Sequence, residues 1–245
     1  METSSATPAE DDLRARIGRW WFGGIALVVA AALVIQLILV FTGGQDANTG
    51  RSTAHLSLGT SLVRLFSFFT IQSNIFVLAT SIALFLDIRR DGRLWRVLRF
   101  DALLGIIITG LVFETILAPL AFGYMRGWAV VATIGFHYIS PWATLIGWLL
   151  FGPRPRTTWT TTLWAFVWPL LWLVYTFVHG AITGWYPYPF LDVATIGFAD
   201  SVRNSAVVLV IGVVIAVVIT LLDHHLPSLV RGRSRPSDTR TATDA

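Results

Sequence analysis

WWFGGIALVVAAALVIQLILVF, residues 20–41, is a run of twenty-two residues without a charge, long enough as a helix to cross a hydrocarbon core of ~30 Å. Five more runs approach the same length: 65–86, 100–121, 128–151, 159–179 and 202–222, the last reading VRNSAVVLVIGVVIAVVITLL. The chain of 245 residues is 55% hydrophobic and only 13% charged, with 11 Trp. A water-soluble domain of this size could not hide so much apolar surface, because its exterior must be largely polar. The sequence therefore predicts an all-α integral membrane protein, a six-helix bundle. Its transmembrane domain spans 20–222. The flanks 1–19 and 223–245, poor in apolar residues and rich in Ser, Thr, Pro and charge, are expected to be disordered.

Charge placement predicts the orientation. All 18 basic residues are Arg. Fourteen lie at the N-terminus (Arg14, Arg16, Arg19), in the second loop (Arg89, Arg90, Arg93, Arg96, Arg99), in the fourth loop (Arg154, Arg156) and in the tail (Arg231, Arg233, Arg235, Arg240). Four lie on the other side: Arg51, Arg64, Arg126 and Arg203. By the positive-inside rule both termini are cytoplasmic, in a multi-pass protein of the cell membrane. The first run follows three Arg, like a secretory signal. It exceeds the usual h-region and has no small-residue cleavage site after it, so it reads as a permanent helix.

Composition also excludes functions. Without cysteine there are no disulfides or thiolate-bound metals. The arginines lie between apolar runs, and no nucleic-acid-binding motif appears, so the positive charge serves topology. GxSxG, HExxH, P-loop and GxGxxG patterns are absent. Neither a cofactor nor a metal is expected, and the natural partners are membrane lipids and lipid-like substrates.

The informative residues are polar groups inside the runs, since placing them in lipid is costly. Ser67, Thr70, Asn74 and Ser81 fall within about 60° of one another on one continuous second helix, giving a polar stripe. Thr133, His137, Ser140 and Thr144 share a face of the fourth, and Pro141 frees the carbonyl of His137, four residues before it. Glu114 is the acid well inside the third run. Each set has a plain reading as interhelical hydrogen bonding, and Glu114 one as a neutral, bonded carboxyl. Depth offers another. At ~1.5 Å per residue Thr70 lies about 8 Å, Glu114 about 10 Å, and Asn74 and His137 about 14 Å below the outer boundary. On that side too lies the loop 180–201, with Tyr186, Tyr188 and Asp192, whose aromatics and prolines suggest an interfacial cap. The loop 43–60 is expected to be a polar external segment.

A polar pocket in the outer half would pair Thr70 as nucleophile with His137 as its base. Asn74, one turn away, would donate to the oxyanion, and Glu114 and Asp192 are candidates to support substrate.

At these residues the chain resembles a family. FFTIQSN (68–74), HYISP (137–141) and YPYPFLDV (186–193) are similar to segments of the androgen-induced membrane proteins, the FAR-17a/androgen-induced type, over roughly 62–222. The resemblance implies a bacterial relative of hydrolases of fatty acid esters of hydroxy fatty acids. It implies a catalytic Thr and His at the positions matching Thr70 and His137. The rival expectation is a proton-coupled small-molecule transporter with Glu114 and His137 as its relay, or a non-catalytic membrane protein.

Overall fold

The computed structural model describes residues 7–154 and 156–230. Among the described residues eight helices follow one another, apart from a single 3-10 turn at Pro189–Leu191: α1 (Pro8–Phe41), α2 (Leu58–Ser67), α3 (Phe69–Leu86), α4 (Arg93–Ala121), α5 (Trp128–Phe151), α6 (Trp159–Thr183), α7 (Val193–Ile196) and α8 (Phe198–His225). Among the described residues six are long and apolar enough to cross a membrane: α1, α3, α4, α5, α6 and α8. The chain is an all-α, multi-pass membrane bundle.

The lipid-facing surface explains the composition. Leu27, Val34, Leu163, Leu171, Val174, Ile182 and Val210 are all more than half exposed. Such a continuous apolar belt is untenable in water and natural in hydrocarbon. Helix α4 is the centre, with 61% of its most apolar stretch buried against 28% for α1, α6 and α8. It packs on α3 and α5, which both pack on α1, while α6 and α8 lie outside. Ten of the described arginines lie at one end of the bundle, with the 87–92 and 152–158 connections, and four at the other. We call these the Arg-rich end and the loop end.

Several boundaries differ from the sequence expectation. Residues 8–19 are helical, because Thr7 and Glu10 form a reciprocal capping box and Pro8 occupies the first turn. Helix α8 continues to His225. Residues 1–6 and 231–245 lie outside the described set. The 43–60 segment is not a simple external loop. Ala47, Asp46 and Asn48 are buried, held by Gln36 Oε1 accepting from the Ala47 amide at 2.7 Å and by the Thr133 hydroxyl donating to the Ala47 carbonyl at 2.6 Å. Desolvation raises the Asp46 carboxyl above the usual carboxylate range, against amide donors at Asn48 and Thr49. From Ser57 onward the chain is already capped into α2.

The second predicted span is two helices. α2 ends at Ser67, Phe68 is extended (φ −68°, ψ 129°) and α3 begins at Phe69. In an unbroken helix the Ser67 carbonyl would accept from Ile71; here the Trp172 indole takes that carbonyl at 2.9 Å, and Ile71 donates to Phe68. The Phe66 carbonyl is satisfied by the Gln72 amide at 2.9 Å, itself held by Trp168. The Ser67 and Phe66 carbonyls released by the break thus have partners, which helps make it stable in an apolar setting.

Candidate active site at the start of α3

The break places Thr70 in the first turn of α3, where backbone N–H groups lack intrahelical acceptors and the helix dipole is positive. No side chain on α3 itself caps them. The Tyr188 hydroxyl does, accepting from the Thr70 amide at 3.1 Å. The same hydroxyl lies 3.2 Å from Thr70 Oγ1. Tyr188 stands between Pro187 and Pro189, stacks on Phe190 (centroids 5.4 Å apart) and meets Phe68 edge-on at 5.7 Å. Burial pushes its phenol up to about 12, so it stays a neutral donor across the ordinary pH range.

On the other side of Thr70, Oγ1 lies 3.4 Å from His137 Nε2. His137 Nδ1 is 3.2 Å from the Thr133 carbonyl. A carbonyl only accepts, so Nδ1 carries the proton, and in the neutral ring Nε2 is then the acceptor. The hydroxyls sort themselves accordingly: Thr70 donates to His137 and accepts from Tyr188, which accepts from the Thr70 amide. Thr70 is 3% and His137 2% exposed, so this arrangement is screened from water.

Helix geometry supports the ring of His137. Both α4 and α5 widen into a π turn here, at Phe113–Leu117 and Gly135–Ile139. Each is centred four residues before a proline, Pro119 and Pro141. A proline has no N–H and clashes with the carbonyl four residues back, so a wider turn at that point relieves the conflict. The two π turns face one another, and Phe113 stacks on the imidazole with centroids 3.8 Å apart at 22°. Gly110 permits the approach: a Cβ there would stand 2.9 Å from Pro141 Cβ. Thr133, His137, Ser140 and Thr144 are all buried, as their shared face requires.

Other expected site residues fall elsewhere. Asn74 is buried beside the pair, but its amide N–H groups donate to the carbonyls of Thr70 (2.9 Å) and Phe136 (3.3 Å). It ties α3 to α5 and has no donor left for an oxyanion. Glu114 is exposed on its π turn and accepts from Tyr138 at 2.6 Å, so it neither orients His137 nor forms a relay with it. Asp192 N-caps α7 through Ala194 and Thr195. Ser67 belongs to α2, where it bonds Tyr175 at 2.6 Å, so the expected four-residue stripe is not one helix face.

Two hollows meet at Tyr188. One lies between α4, α6 and α8 and is lined almost wholly by apolar side chains, with Thr70, Thr109 and Ser205 among its polar points. The other opens at the loop end and is lined by Asp46, Asn48, Arg64 and Asp192 among others. Leu117 and Tyr188 belong to both walls. Tyr188 and Phe113 are the residues that sequence reasoning did not assign; a tyrosine clamped between two prolines was the visible signal for the first. No protein-family model, curated protein or solved structure matches this chain.

Proposed function

We propose that this protein is a threonine-dependent hydrolase of lipid esters, of the androgen-induced type that its motifs resemble, working in the outer half of the cell membrane. The observation that carries the reading is the Thr70 hydroxyl, donated to a neutral His137 Nε2 and set in the wall of an apolar cavity. The 3.4 Å separation is long for a hydrogen bond, as catalytic contacts are before substrate closes the site.

An acyl chain occupies the apolar cavity and brings its ester carbonyl to Thr70. Oγ1 attacks the carbonyl carbon as Nε2 takes the hydroxyl proton. The tetrahedral oxyanion is met by the Tyr188 hydroxyl and the positive end of α3, replacing the donor role first expected of Asn74. Collapse expels the alkoxide, which His137 protonates. Water, deprotonated by the same nitrogen, then releases the acid from acyl-Thr70 and restores the hydroxyl. The orientation rests on the excess of Arg at the opposite end.

The test is hydrolysis of a panel of fatty-acid esters by purified protein in detergent. Thr70→Ala and His137→Ala should each abolish turnover in a folded protein, and the double variant should be no worse than either, because the two act as one unit. Thr70→Ser should keep part of the rate. Wild-type turnover by Thr70→Ala refutes the assignment.

A further inference from the structure

The Arg-rich end contains a further, small hollow, lined by Arg96, Arg99 and Arg156 against Asp91 and Asp223, with Trp95 and Trp148 beside them. Its two carboxylates are already engaged. Asp91 takes a two-pronged bond from Arg96, at 2.8 Å to each oxygen, and a 2.8 Å contact from Arg156. Asp223, 2% exposed, accepts the backbone amides of Arg156 and Thr157 at 2.6 and 2.7 Å. Arg99 is left over. Its Nη2 is buried against Gly152 and has no hydrogen-bond partner among the described residues. Arg154 adds a second unmet donor. Its Nη2 caps the end of α5 at the Trp148 and Leu149 carbonyls, while its buried Nη1 has no partner among the described residues.

Buried guanidinium donors without an acceptor are costly. Three arginines against two aspartates leave the lining with a net positive charge, and Arg154, outside the lining, lies near enough to act on Arg99 electrostatically. Guanidinium forks match the oxygens of a phosphate. We infer that Arg99, with Arg154 beside it, forms a binding site for a phosphate group, separate from the Thr70 site and at the opposite end of the bundle. The group is carried by an anionic lipid headgroup or by a free phosphate, and the inference does not depend on the hydrolase reading.

Full-length protein, delipidated in a nonionic detergent, would be titrated with phosphatidylglycerol, inorganic phosphate or diacylglycerol. Melting temperature and native mass spectrometry would be read together. Phosphatidylglycerol is expected to bind and stabilise, and diacylglycerol to do neither. Stabilisation by inorganic phosphate as well would mean that the site reads the phosphate itself; its failure beside an active phosphatidylglycerol would mean that the lipid is required. Arg99→Gln should weaken binding by about tenfold or more, the worth of one charge-assisted bond. Arg93→Gln, an exposed arginine at the same end, should not. Arg99→Lys keeps the charge without the fork and should fall between them, which serves if the Gln variant does not fold. Absence of any phosphate binding by wild type, or equal weakening by Arg99 and Arg93 variants, overturns the inference.

Discussion

Replacing Tyr188 by Phe isolates what one hydroxyl does at Thr70. The ring and its stacking on Phe190 remain, so no cavity is created. Two contacts vanish, from the Thr70 amide at 3.1 Å and to Thr70 Oγ1 at 3.2 Å. The first leaves a buried helix-terminal N–H without an acceptor, which costs about 1–3 kcal/mol and should appear as a lower melting temperature. On the proposed mechanism the second removes an oxyanion donor, which costs about 10²-fold or more in kcat. Because the oxyanion exists only after attack, kcat should fall with KM nearly unchanged. Burial keeps the phenol neutral to about 12, so the wild-type pH profile should show no loss from Tyr188 ionisation near neutrality. The assay is ester hydrolysis by both proteins, with melting curves on the same samples. A lower melting temperature at wild-type kcat would reduce Tyr188 to a cap for α3. No change in either would mean that the bond is not made.

Gly110→Ala puts a Cβ 2.9 Å from Pro141 Cβ; overpacking of about 1–3 kcal/mol outweighs the helix gain of about 0.5–1 kcal/mol. Melting temperature and ester hydrolysis should both fall, whereas Gly59→Ala, with open space around it, should be neutral or stabilising. The Arg96 guanidinium bonded to Asp91 holds that carboxyl well below the usual range. Its stabilisation is therefore complete above about 4 and is lost as pH falls further. The melting-temperature gap between wild type and Asp91→Asn should close on acidification, and a gap constant across the acid range would contradict this. A reporter active only in the cytoplasm should work when fused after Asp91 and fail at His55; the reverse pattern overturns the orientation.

Much of the architecture was legible because lipid imposes it residue by residue. A helix must present about 20 apolar residues to cross hydrocarbon, so six runs announced six spans, later found in α1, α3, α4, α5, α6 and α8. Intramembrane polarity likewise marked Thr70 and His137, which the fold brings within 3.4 Å. The interruption at Ser67–Phe68 was invisible, since neither Gly nor Pro stands there. It exists because Trp172 and Gln72, one from another helix and one from the next turn, satisfy the released carbonyls. That break alone moves Thr70 to a helix start, where its amide and hydroxyl meet the Tyr188 hydroxyl, 118 residues away in sequence. Glu114, in the π turn before Pro119, is exposed and bonded to Tyr138, a pairing that the sequence did not announce. Hydropathy fixes which segments enter the membrane; which hydrogen-bonding groups meet there is decided by helix termini and π turns, whose partners come from distant parts of the chain.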